Sequence, residues 1–427
     1  MSQLEFREMQ SAVKPRIVIH GGAGQIYRSN LSPSARYEYL SAITHILKSV
    51  YPRLNAGLPA LDAAVAAVRM LEDNPLFNAG KGAVFTLDGT NELEASVMVS
   101  RGQYKRCAGV ILLQHVKNPV LLAKEVLVRD DPSVERAARH NCLSGPYAEQ
   151  LAAQWGLDIV DQKYFFTEKR WQQHLRDLER GESESMAAAG GISGQNNFTE
   201  NHWFADEISK EGAAVEVQEV QADSEGKFNA AVEEYLPKGT VGCVVLDSSG
   251  VIAAATSTGG RTNKVPGRIG DTPTAGAGFW AEEWEVEPTS PSRVTNTVES
   301  LRQQITACWP VATTSRPAKT HRAVGLSGTG NGDFFLRLSV CHNIAARCRF
   351  GGKSLRAAAK EVCGPGGEID KAGAGRGDSD GAVIGVDEEG VVVMEMNCGG
   401  CFRGTVDDDG RALVAAYADE EPAELKP

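Results

Sequence analysis

Basic runs are missing from this chain. Its 427 residues carry 44 Lys+Arg against 55 Asp+Glu, a formal net charge of -11, with no block of lysine or arginine anywhere. Nucleic acid and anionic membrane surfaces are therefore poor partners, since both call for concentrated positive charge. No apolar run reaches the roughly 18 residues that would read as a membrane-spanning helix. The first residues have no apolar core behind a basic start, so the expectation is a cytoplasmic protein. Metal and disulfide signatures are also scarce. Eight histidines are scattered, and nine cysteines form an odd, thinly spread set that reads as reduced thiols. The Cys398-Gly399-Gly400-Cys401 element has no second pair at zinc spacing, which argues against a metal or redox site there. Aromatics make up only 7%, yet 42% hydrophobic and 23% charged residues suffice for a sizeable globular core. Glycine is what the chain has in excess: many of its 45 copies cluster in four short places, as tight turns and close backbone approaches require.

Apolar periodicity predicts a strand over 16–20, helices over 33–54 and 58–71, strands over 94–98 and 107–114, and helices over 119–129, 145–155 and 168–179. Residues 181–234 are small, polar and acidic without sustained period and read as a flexible linker. Beyond it, strands over 240–247 and 251–256 flank the turn Ser248-Ser249-Gly250 and predict a hairpin. Further strands are expected over 323–326, 382–386, 391–397 and 412–417, and helices over 292–308, 334–348 and 354–362. Strands on both sides of the linker point to one sheet system built across it.

Four clusters could carry chemistry. In Lys238-Gly239-Thr240-Val241-Gly242 a hydroxyl residue opens a buried-looking strand directly after a glycine. Cleavage before Thr240 would create an N-terminal threonine whose α-amine, with a pKa of roughly 7.7 to 8.0, serves as base for its own hydroxyl. An isolated Gly-Thr is ordinarily only a strand start, so the surroundings must decide. Residues 256–271 follow the second hairpin strand and bring three hydroxyls, Thr256, Ser257 and Thr258, then Arg268 and Asp271. A guanidinium fork for a carboxylate and a counter-charge for an ammonium would together recognise a free amino-acid end; the bland alternative is a surface ion pair. Ser327-Gly328-Thr329-Gly330-Asn331-Gly332-Asp333 ends a strand and starts a helix, where amides beside the Thr329 hydroxyl could hold an oxyanion. A phosphate loop competes there, but no Gly-Lys-Ser/Thr follows. Residues 74–82 place Asn78 in a glycine loop after a helix. His20-Gly21-Gly22-Ala23-Gly24 has the spelling of a hydrolase oxyanion loop, without the Gly-x-Ser-x-Gly elbow that would accompany it.

Taken in order, these motifs resemble the threonine-dependent asparaginases and isoaspartyl peptidases of the N-terminal-nucleophile hydrolases, and the likeness covers nearly all of the chain except the linker. The resemblance implies an α+β fold, a four-layer αββα sandwich, in a precursor that cuts itself between Gly239 and Thr240 into an α chain (1–239) and a β chain (240–427). By that likeness Thr240 is the nucleophile and Thr258 bonds to it. Arg268 binds the substrate α-carboxylate and Asp271 its α-ammonium, beside Gly332. Thr329 and the amide of Gly330 stabilise the oxyanion, Asn78 assists, and Gly21 and Gly22 shape the precursor for cleavage. The loop carrying Leu71, Glu72, Asn74, Phe77, Ala79 and Lys81 is similar to the family's sodium loop, so a structural Na+ held by backbone carbonyls is implied, with no cofactor for the chemistry. Asparagine or a β-aspartyl peptide is the implied substrate, and a homodimer of αβ units the implied assembly. Residues 396–402 depart from the family pattern near the pocket. Alternatives from the same superfamily are a glycosylasparaginase and a threonine aspartase; an unprocessed binding or scaffold protein is a third.

Overall fold

The computed structural model describes residues 13–101, 107–129, 140–188, 239–286, 320–374 and 378–426. Strand β1 (Arg16–Gly24) leads through helices α1 (Pro33–Asn55) and α2 (Ala60–Glu72) to β2 (Leu93–Val99) and β3 (Cys107–Leu113). Helix α3 (Pro119–Val128), β4 (Cys142–Ser144), α4 (Gly145–Gln154) and α5 (Glu168–Ala188) complete the first half. The second half opens with β5 (Val241–Leu246), β6 (Ile252–Thr258), β7 (Phe279–Val286) and β8 (Thr320–Gly330). Helices α6 (Gly332–Leu338), α7 (Val340–Arg349), α8 (Leu355–Cys363) and α9 (Glu368–Gly373) follow, then β9 (Gly381–Asp387), β10 (Val392–Met396), β11 (Gly400–Val406), β12 (Ala412–Tyr417) and β13 (Ala423–Glu424).

Two sheets form an α+β architecture. One has nine strands in the order β13-β12-β11-β1-β5-β6-β2-β3-β4, the other four in the order β10-β9-β8-β7. Strand β5 lies between β1 and β6, antiparallel to both, so strands from before and after residue 239 interleave as the hairpin and the N-terminal strand predict. The period of two sorts side chains between cores. On β5, Val241, Cys243 and Val245 join α1, α2 and α3 in the largest apolar cluster. Val244 and Leu246 point the other way, into a cluster shared with Phe279 and Ala281 of β7 and Ile384 of β9, across which the two sheets face each other. A third cluster packs Val324 and Leu326 of β8 against Ile344 of α7 and Leu355 of α8. Each fully buried aliphatic side chain in these layers contributes about 1.5–3 kcal/mol. Among the described residues no helix is long and apolar enough to cross a membrane.

Several expectations need correction. Helix α5 runs on to Ala188, past residue 181 where the linker was expected to begin. Its Glu-Ser-Glu-Ser-Met-Ala-Ala ending looks like linker by polarity, but Glu, Met and Ala are good helix formers. The rest of the expected linker lies outside the described residues, as does the helix expected over 292–308. The single helix expected over 334–348 is two, α6 and α7, broken at Ser339, which takes left-handed angles (φ 47, ψ 51). Strand β7 was not anticipated because Trp280 and the buried Glu282 interrupt its alternation. Nor was β11, which carries a buried Arg403 whose guanidinium donates to the carbonyls of Cys401, Tyr417 and Glu420.

Candidate active site

Thr240 is the last residue before β5 and is buried. It shares the parity of Gly242 and Val244, which places its side chain on the face turned toward the second sheet. Strand β8 comes close there because position 242 has no side chain: a Cβ would overlap Ser327 Oγ and lie 2.5 Å from His20 Nε2. His20 ties the strands together. Its Nδ1 lies 3.0 Å from the Thr240 carbonyl oxygen, and its Nε2 lies 2.7 Å from Ser327 Oγ. A carbonyl oxygen can only accept, so Nδ1 carries the hydrogen and the Ser327 hydroxyl donates to Nε2. Burial lowers the His20 pKa to about 3, which keeps the ring neutral. His20 is thus an anchor for Thr240 rather than a proton acceptor.

Gly239 is wedged so tightly that a Cβ on it would lie 2.5 Å from Ala23 N, 2.6 Å from Thr329 Oγ1 and 2.8 Å from Gly22 Cα. Opposite it, Gly22 has φ +111, left-handed backbone that suits only glycine. Gly21 allows a second approach, since a Cβ there would be 2.9 Å from Phe77 Cδ1. The Ala23 amide donates to Thr329 Oγ1 at 3.2 Å, so the β1 bulge, the Gly239 junction and Thr329 form one contact. The Thr240 hydroxyl is 3.1 Å from that of Thr272, a buried residue one position beyond Asp271 that the sequence reading missed. Thr258 follows directly on the Val241–Ser257 register pair, with its hydroxyl accepting from the Gly260 amide at 3.0 Å.

Arg268 and Asp271 do lie together, but the partner of Arg268 is Asp333. Its Nη2 donates to Asp333 Oδ1 at 2.9 Å, and Arg261 Nη1 donates to Asp333 Oδ2 at 3.2 Å. Gly332 makes this possible, because a Cβ there would overlap Asp271 Oδ1 and lie 3.2 Å from Arg268 Nη2. Behind Arg268, the buried carboxylate of Glu94 accepts from the Gly270 amide at 3.1 Å. Asp271 is buried, and among the described residues its Oδ2 has no hydrogen-bond partner. Burial chiefly, with the Glu94 charge adding to it, pushes its pKa from 3.8 to about 7. An uncompensated buried acid beside a guanidinium is suited to receiving a cationic group and a carboxylate side by side.

Asn78 clamps its loop to the segment after β6: its Nδ2 donates to the Gly260 carbonyl at 2.8 Å, and its Oδ1 accepts from the Val84 amide at 3.0 Å. Within the same loop Gly80 and Gly82 let backbone oxygens crowd together. A Cβ at Gly80 would overlap Glu72 O, and one at Gly82 would lie 2.5 Å from Pro75 O. The buried Arg170 of α5 takes the Gly82 carbonyl at 2.8 Å and the Leu76 carbonyl at 3.4 Å. Among the described residues no group of three or more His, Cys, Asp or Glu side chains is placed to hold a metal ion. The donors this loop has to give are backbone carbonyls, which fit a hard alkali ion.

A cleft of about 660 Å³ opens elsewhere, lined by Tyr27, Asn397, Cys398, Gly399 and Tyr417 among others. Asn397, Cys398 and Gly399 of the unusual segment 396–402 line it, whereas Thr240 and its partners do not.

A family model described as asparaginase matches residues 13–286 and 318–415. An isoaspartyl peptidase of Escherichia coli (strain K12) is 33% identical over 390 residues, 91% of this chain and 92% of its own. An isoaspartyl peptidase of Salmonella typhimurium is 34% identical over 390 residues, covering 91% and 94%. The plant-type L-asparaginase of Pyrococcus abyssi is 31% identical over 269 residues, 62% of this chain and 70% of its own. With both halves of the chain matched and relatives aligned over nine-tenths of its length, this protein belongs to the asparaginase family that includes the isoaspartyl peptidases and plant-type L-asparaginases.

Proposed function

We propose that the chain is a self-processing amidohydrolase that cleaves the side-chain amide of L-asparagine and the isopeptide bond of β-aspartyl peptides through Thr240. The observation that carries this reading is the Gly239–Thr240 junction, held between Gly22, Ala23 and Thr329 with a hydroxyl partner on Thr272. In the precursor the Thr240 hydroxyl attacks the Gly239 carbonyl carbon. The bond to the Thr240 nitrogen breaks, an ester forms, and water hydrolyses it to a Gly239 carboxylate and a free Thr240 amine. That amine then accepts the proton of its own hydroxyl. The oxygen attacks the substrate amide carbon, ammonia or an amine leaves, and water releases aspartate from the β-aspartyl ester.

Arg268 and Asp271 support the substrate assignment, as they supply charges opposite to an α-carboxylate and an α-ammonium. They fix the amino-acid end and make no demand on the leaving group, so both asparagine and β-aspartyl peptides fit. Thr329 and the Gly330 amide would stabilise the oxyanion, with Asn78 and Thr258 holding the loops around Thr240. We further infer a four-layer αββα sandwich, on the support of the three apolar clusters. A homodimer of αβ units is also inferred, together with a structural sodium ion on carbonyls of residues 71–81 that would stiffen the loop bearing Asn78. Hydrolysis of asparagine and of a β-aspartyl dipeptide by purified protein, with Thr240→Ala as control, tests the reading. Turnover undiminished in Thr240→Ala would refute it.

A further inference from the structure

We propose that Asp333 is a built-in occupant of the carboxylate site on Arg268, and that Arg261 draws it away when substrate enters. This rests on the assignment of Arg268 and Asp271 to the amino-acid end of the substrate. Arg268 is largely covered, with 17% side-chain exposure, and donates to one oxygen of Asp333. Arg261, at 60% exposure, donates to the other oxygen. One carboxylate therefore bridges a fixed guanidinium inside and a solvated one outside.

The substrate α-carboxylate carries the same charge and uses the same fork as Asp333, so both cannot hold Arg268 fully. Asp333 must yield, and Arg261 lets it do so while keeping a cation partner. The backbone need not move. The Asp333 amide is fixed on Asn331 Oδ1 at the start of α6, and its side chain, 52% exposed, can turn outward between staggered rotamers. Arg268 has no such freedom, being packed against Gly270 and Glu94. Arg261 touches no reacting atom; it is a positioning residue that acts through Asp333 on the substrate site.

The test compares mature wild type, Arg261→Ala, Asp333→Asn and the double variant in asparagine hydrolysis and in calorimetric binding of L-aspartate. Without Arg261, Asp333 has Arg268 alone and competes better. KM for asparagine and Kd for aspartate then rise about threefold at unchanged kcat, the size expected of a solvated ion pair. Asp333→Asn lowers both constants, and removing Arg261 in that background changes neither. If Asp333→Asn raises both constants, Asp333 props Arg268 in place and the proposal is overturned; additive effects in the double variant overturn it as well. Aspartate binding by a wild type that never turns over asparagine would refute the hydrolase reading alone, and the Kd pattern would still decide this one. Absence of both would refute both.

Discussion

Replacing Asp271 by Asn separates stability from function. The carboxyl is buried with one oxygen unpartnered among the described residues, and its pKa stands at about 7 instead of 3.8. A change of that size corresponds to about 4 kcal/mol against the ionised form, at about 1.4 kcal/mol for each tenfold. Local relaxation reduces the realised value to about 1–3 kcal/mol. Between about pH 4 and pH 7 the folded chain keeps a proton that the unfolded chain has released, so stability falls as pH rises through that window and levels off above it. Asp271→Asn keeps the shape and removes the charge. It should therefore stabilise the protein by about 1–3 kcal/mol at pH 8 and by only about a third of that at pH 5, while abolishing recognition of the substrate ammonium. Urea denaturation at the two pH values, in a Thr240→Ala background so that all molecules remain one chain, measures the first effect. Aspartate calorimetry measures the second. A variant equally destabilised at both pH values would refute the reasoning, since it would make Asp271 a structural partner rather than a strained acid awaiting a cation.

The same acid governs activity: KM for asparagine should rise toward acid pH by up to about tenfold per unit below about 7, as Asp271 takes up a proton, and a flat KM between pH 5 and 8 would contradict this. Gly332→Ala puts a methyl group onto Asp271 Oδ1, so self-cleavage should continue while KM rises at least about tenfold, as steady-state kinetics of the processed variant would show. Ser327→Ala leaves His20 Nε2 without its donor, at a cost of about 1–3 kcal/mol, and should slow appearance of the two fragments on a denaturing gel; unchanged processing would remove His20 from the account. Thr272→Val takes away the hydroxyl 3.1 Å from that of Thr240 and should lower kcat more than it alters KM.

The hairpin β5–β6 was legible because two apolar runs flank a turn of Ser-Ser-Gly, and β1 because its run is uninterrupted. That Arg268 and Asp271 lie near each other was equally legible from their spacing of three residues. What the linear reading missed depends on distant contacts. His20 acts through atoms 220 and 307 residues away, and only their geometry fixes its tautomer. Thr272 has no signal of its own beyond being the hydroxyl after Asp271. Asp333 read as the end of a glycine loop, although it is the carboxylate that holds Arg268. Helix α5 and the break at Ser339 show local composition failing in opposite directions. Polar residues with good propensity continued one helix, and the need to seat Val340 and Cys341 in the core ended another.

The most direct test of the central claim is intact mass with N-terminal sequencing of purified wild type and Thr240→Ala after several hours of incubation. Two fragments from the wild type, the second beginning Thr240-Val241-Gly242, beside an uncut variant, are the predicted result. A wild-type chain that stays whole yet hydrolyses asparagine would contradict the assignment of Thr240 as an N-terminal nucleophile.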